Sequence, residues 1–121
     1  MDSKEILLVE DNPVNQKVAQ MMLKRLGYSV EIADNGEEAI KKIREKSFEI
    51  VLMDAQMPVM NGMDATRKIR EITSAEDQPK IYVLSASMLA DSKKDWQGID
   101  VDGFIEKPIR IEELQLFLEN S

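Results

Sequence analysis

Five residues in this chain have the chemistry to act together, although nearly a hundred positions separate the first from the last. They are Glu10 and Asp11, Asp54, Ser85 and Lys107. Each closes or directly follows a short strand-like run: the apolar "ILLV" leads to Glu10-Asp11, "IVLM" to Asp54 and "YVL" to Ser85-Ala86, and the shorter "GFIE" leads to Lys107-Pro108. A carboxylate at the end of a buried run needs donors, a cation or water to offset its desolvation. Three carboxylates at one mouth would raise one another's pKa values, and a divalent cation removes that conflict. Magnesium suits such a set because it takes one or two carboxylates, keeps waters and completes its shell with phosphate oxygen. Lysine fits beside a phosphoryl group as a compact charge, and a serine hydroxyl donates to a second oxygen. Phosphoryl transfer asks mainly for positioning and charge neutralisation, and a carboxylate can serve as its nucleophile. Singly, each residue has an ordinary reading: a solvated turn for Glu10-Asp11, a cap for Asp54, a local bond for Ser85 and a surface position for Lys107. Their joint arrival at four strand ends is what points to a site.

The elements that must position them alternate along the chain. "EILLVE" (5–10) reads as a short strand, after which Asn12 supplies an N-cap and Pro13 a first helical residue. Val14, Val18, Met21, Met22 and Leu26 follow at helical spacing, and Gly27 closes the helix. "SVEIA" (29–33) alternates as a strand nearer a sheet edge does, and Asn35 with Glu38 resembles a capping box before Ala39, Ile40 and Ile43. "EIVLM" (49–53) is apolar on both faces, as a central parallel strand should be. A helix from about Met63 to Ile72, a polar loop to Pro79 and a strand "IYVLS" (81–85) come next. A weaker helix through Met88 to Trp96, a strand "GFIE" (103–106) and a last helix with Ile111, Leu114, Phe117 and Leu118 inward complete the chain. This alternation predicts one α/β domain over 1–121, an open parallel sheet covered on both faces. Ligands of such sheets bind outside the carboxyl ends of the strands, where the strand order switches.

Composition removes several functions. The net charge of −7, from 16 basic against 23 acidic residues, repels nucleic acid and anionic membrane. With no cysteine there is no disulfide framework, thiolate metal site or cysteine nucleophile. No apolar run approaches the ~18 residues of a membrane span, and the first residues lack the flanks of a signal peptide. The expectation is a cytoplasmic protein without membrane insertion, monomeric as an isolated domain. Histidine is also absent, so the chain cannot be its own phosphohistidine donor.

"LLVEDN", "VLMDAQMPVMNG", "LSAS" and "FIEKP" together resemble the signature segments of response-regulator receiver domains, in order and separation, across the whole chain. "VEDNPVNQKVA" and "MDAQMPVMNGMDATRKIR" further resemble receivers attached to hybrid sensor histidine kinases. The resemblance implies a (βα)5 doubly wound sheet of flavodoxin-like strand order 2-1-3-4-5. It implies that Asp54 is the phosphoacceptor, and that Glu10, Asp11, Asp54 and the backbone carbonyl of Gln56 hold magnesium, with manganese as an alternative. Ser85, Ala86 and Lys107 would contact the phosphoryl group, the Lys107–Pro108 bond would be cis, and Ser85 with Phe104 would form the switch. The phosphodonor would be a histidine kinase or a histidine phosphotransfer protein. Two positions depart from the family's habit. Ser85 stands where threonine is commoner, and Asp100 stands where glycine is frequent, with Gly98 two residues earlier, so an irregular stop is expected after the helix ending near Trp96.

Two other functions compete. A magnesium-dependent phosphohydrolase working through an aspartyl phosphate places a second acid two residues after its nucleophile, whereas this chain has Gln56 there. A never-phosphorylated interaction module of the same fold would show losses among Asp11, Asp54 and Lys107, and all three are present.

Overall fold

Five parallel strands form one sheet in the order β2-β1-β3-β4-β5. They are β1 (Glu5–Val9), β2 (Ser29–Ala33), β3 (Ile50–Asp54), β4 (Lys80–Ser85) and β5 (Gly103–Glu106). The helices are α1 (Pro13–Arg25), α2 (Gly36–Glu45), α3 (Gly62–Ile72) and α4 (Ile111–Glu119). The structure, a computed structural model, describes residues 5–55, 62–85 and 96–119. The expected helix through Met88 to Trp96 lies outside these residues except for Trp96 itself, as do Gln56 and Ala86.

Side chains of a strand alternate between faces, so the central strands must present an apolar set to each side. Leu7, Val9, Val51, Met53, Ile81 and Val83 point to one face, where they pack with Ala39 and Ile40 of α2, Ala65 and Ile69 of α3, and Trp96. Ile6, Leu8, Ile50, Leu52, Leu84 and Ile105 point to the other, against Ala19 and Leu23 of α1 and Leu114 and Leu118 of α4. Removing each such side chain from water contributes roughly 1.5–3 kcal/mol, which fixes the register of every strand. That register sets Val9 beside Met53, Asp54 beside Leu84 and Ser85 beside Glu106, so all the chemistry-bearing strand ends finish at one edge.

Helix α1 begins where Asn12 Oδ1 accepts from the amides of Val14 and Asn15, at 2.9 and 3.1 Å, with Pro13 at the first turn. It closes at Gly27, which takes a φ of 92°. The inward face is Ala19 and Leu23, flanked by Met22 and Leu26, while Val14, Val18 and Met21 of the same apolar series are exposed. The apolar series is therefore wider than the face that the sheet covers.

Asp100, which stands where glycine is frequent, does not take the left-handed conformation. Gly98 carries the positive φ, at 85°, and among the described residues only glycines do so. Arg70 anchors the chain that follows. Its guanidinium donates to the carbonyls of Asp100 and Pro79, at 2.9 and 2.7 Å, and pairs with Asp102 at 3.0 Å. Asp102 in turn accepts from the amide of Ile81 at 2.7 Å, which ties the end of α3 to the starts of β4 and β5.

Candidate functional site

The sheet brings the predicted residues together from four strand ends. β1 ends at Val9, one residue earlier than expected, so Glu10 and Asp11 form the first turn beyond it; β3 extends through Asp54. One carboxylate oxygen each of Glu10, Asp11 and Asp54 lies within 4.8 Å of the others. The Lys107 ammonium reaches across from the end of β5 to within 3.0 Å of Asp54 Oδ1 and 3.3 Å of Glu10 Oε1. The Lys107 amide donates to the Ser85 carbonyl at 2.7 Å, and the Lys107–Pro108 peptide is cis. Ser85 is buried at the last position of β4. Gln56 and Ala86 lie outside the described residues, so two of the expected contacts have no described position. Phe104 lies next to Val83 across the β4–β5 pair and meets Trp96 edge to face, with ring centres 6.2 Å apart and planes at 85°.

The electrostatics are those of crowded acids. Glu10 is only 2% exposed and Asp54 4%. Burial, then the hydrogen bond and charge of Asp54, push the Glu10 carboxyl up from 4.5 to about 7 against the opposing pull of Lys107. Burial pulls the Lys107 ammonium down, yet the bonds and charges of Asp54 and Glu10 outweigh it and leave its pKa above 10.5. A cluster that keeps a proton on one carboxyl near neutrality is one that a divalent cation would relieve. Its donors are oxygens only, with Asp11 exposed at the rim, and that set suits a hard cation such as magnesium.

Two residues that shape this site were not assigned to it from the sequence. Gly62 starts α3 directly beneath it, and a β-carbon there would overlap the Asp54 carbonyl oxygen. Only the close approach of two backbones reveals that need. Gln16 points back from α1 and donates two hydrogen bonds, to the Glu10 carbonyl at 2.6 Å and to Asp34 Oδ1 at 2.7 Å. Its signal was position alone, one turn after the Asn12 cap.

Comparison with known proteins agrees with this geometry. The chain is 36% identical over 140 residues to histidine kinase 5 of Arabidopsis thaliana, a match that covers 95% of this chain and spans 15% of that protein's length. The receiver domain of a sensor histidine kinase of Pseudomonas aeruginosa, solved with magnesium coordinated in its active-site cleft, superposes with a TM-score of 0.90 at 35% identity, covering 98% of this chain and 97% of that one. The receiver domain of Ssk1 of Saccharomyces cerevisiae, solved with the histidine phosphotransfer protein Ypd1, superposes with a TM-score of 0.84 at 26% identity, covering 93% and 83%. The family model of the response regulator receiver domain matches residues 6–119, and with the sheet order, the acidic cluster and the lysine in place the chain belongs to that family.

Proposed function

We propose that Asp54 is the phosphoacceptor of this receiver domain, taking its phosphoryl group from a phosphohistidine on a histidine kinase or a histidine phosphotransfer protein. The observation that carries this reading is the Asp54 carboxylate, buried at the end of β3 with the Lys107 ammonium at 3.0 Å. In the transfer an Asp54 oxygen attacks phosphorus, the P–N bond breaks and the imidazole leaves with the bonding pair, to be reprotonated. Lys107 pairs with one phosphoryl oxygen and the Ser85 hydroxyl donates to another, while burial keeps bulk water from the new acyl phosphate. Glu10, Asp11 and Asp54, with the Gln56 carbonyl, would hold magnesium, or manganese, which when bound supplies the charge that the phosphoryl oxygens need. The chain acts as a stoichiometric acceptor that promotes its own phosphorylation and, when a single water is admitted, its own dephosphorylation, in which that water displaces inorganic phosphate and returns the Asp54 carboxylate. The exchange is assigned to the cytoplasm.

The donor's docking surface in this reading is the exposed face of α1. Val14, Val18 and Met21 are 69%, 45% and 66% exposed, an apolar stripe at helical spacing that begins beside the acidic loop and fits a helical bundle. The phosphorylated state is read out through Ser85 and Phe104. A charged acceptor on Asp54 draws the Ser85 hydroxyl toward it, and Phe104 follows into the space beside β4.

The test is the intact mass after incubation with acetyl phosphate and magnesium. A single hydroxylamine-labile phosphate that is lost in Asp54→Asn supports the assignment. An unmodified parent, or equal labelling of the variant, overturns it.

A further inference from the structure

We propose that Gln16 is a positioning residue for the acidic loop, holding Glu10 and Asp11 where they take a divalent cation; this rests on the metal-dependent reading above. Helix α1 fixes Gln16 before the side chain does anything. The Asn12 carbonyl accepts the Gln16 amide at 2.9 Å, and the Asn12 side chain caps the same turn. From this half-buried position the carboxamide turns back over the loop. Its Nε2 donates to the Glu10 carbonyl at 2.6 Å and to Asp34 Oδ1 at 2.7 Å. Both neighbours are acceptors only, so the NH2 end of the carboxamide is the end the site requires.

With that contact Glu10 is held at every polar group. Its amide donates to the Ala33 carbonyl at 3.0 Å, and its carbonyl accepts from Gln16. Its carboxylate accepts from the Asp11 amide at 3.1 Å and from Lys107 at 3.3 Å. The Glu10 carbonyl belongs to the peptide that leads into Asp11, so the Gln16 bond sets the plane from which the exposed Asp11 side chain departs. Asp34 strengthens the arrangement because a carboxylate is the better acceptor, and it braces the acidic loop against the loop after β2. Partners one step beyond a metal's own ligands commonly control its affinity in this way.

The experiment titrates magnesium alone into the parent, Gln16→Met, Gln16→Glu and Asp34→Ala by calorimetry, and follows thermal unfolding of each in EDTA. Gln16→Met keeps the length and loses both donors; its magnesium Kd should rise about tenfold. Gln16→Glu turns an acceptor toward two acceptors and should also bind more weakly, although the added negative charge by itself would tighten a cation. Asp34→Ala, at an exposed side chain, should weaken binding by about threefold, since one of two bonds remains. A parent-like Kd in Gln16→Met, or tighter binding in Gln16→Glu, overturns the proposal. If Gln16→Met fails to fold, an unchanged Kd in Asp34→Ala overturns it alone. A parent that binds no magnesium would instead overturn the reading of the acidic cluster on which the proposal stands.

Discussion

Lys107 and Asp54 enter the site from strands that are not neighbours, with β4 between them, and still meet at 3.0 Å. The same ammonium lies 3.3 Å from Glu10, so one cation serves two buried acids. Lys107→Met should therefore separate two properties. Labelling by acetyl phosphate should fall by about 100-fold, as removal of a transition-state donor commonly causes. Stability at neutral pH should drop by about 1–2 kcal/mol, less than for a fully buried pair because the lysine is partly exposed. Mass-spectrometric time courses and urea unfolding read the two effects, and parent-like labelling would remove Lys107 from the reaction.

The metal-free protein should be more stable near pH 5 than near pH 7.5. The Glu10 carboxyl titrates at about 7 when folded against 4.5 otherwise, so in that window the folded state binds more protons than the unfolded one. Stability then rises as pH falls through the window, by of order 2 kcal/mol. The Glu31 carboxyl, lowered chiefly by its hydrogen bond to Lys46, contributes stability that is lost only as pH falls below its usual 4.5, outside this window. Thermal melts in EDTA and in magnesium test the point. The slope should be present in EDTA and flattened in magnesium, and a flat EDTA profile would contradict the burial and coupling of Glu10.

Gly62→Ala should cost about 1–3 kcal/mol, the usual range for overpacking, since its β-carbon would overlap the Asp54 carbonyl oxygen. Because that carbonyl belongs to the acceptor residue itself, phosphorylation should slow as well. Unfolding and labelling measured on the same preparation check both, and a parent-like midpoint would show that the backbone yields without cost.

Trp96, buried against Phe104 with ring centres 6.2 Å apart, is a built-in reporter of that face. Beryllofluoride with magnesium, a phosphoryl mimic, should change Trp96 emission, and Ser85→Ala should blunt the change. An unaltered spectrum at saturating mimic, with binding confirmed separately, would place the signal elsewhere.

Val18→Glu alters the exposed stripe of α1 without touching the acidic loop. Transfer from a phosphohistidine protein should slow by at least about tenfold while acetyl-phosphate labelling is unchanged, because rim and patch charges act on docking rather than on chemistry. Equal slowing of both reactions, followed by mass spectrometry, would point to damage at the site instead.

The residue types at the strand ends, the alternation of apolar runs and the caps at Asn12 and Asn35 are local properties, and they sufficed for the sheet class and the acidic mouth. They act over a few residues, so periodicity and capping chemistry expose them directly. The resemblance to receiver domains supplied the strand order, which the pairing then showed. Other features depended on distances that no local rule carries. The apolar series on α1 did not say which side the sheet would cover, because Val14, Val18 and Met21 share the helical spacing of the core positions yet lie outside. After Trp96 the left-handed backbone falls on Gly98 and not on Asp100, whose carbonyl Arg70 holds instead. The carboxamide of Gln16 meets an acid eighteen positions away, and Lys107 meets Glu10 across ninety-seven. Such contacts exist only once both cores have packed and fixed the register, so they belong to the tertiary structure. Sequence determined which groups would be available at the mouth; packing decided which of them touch.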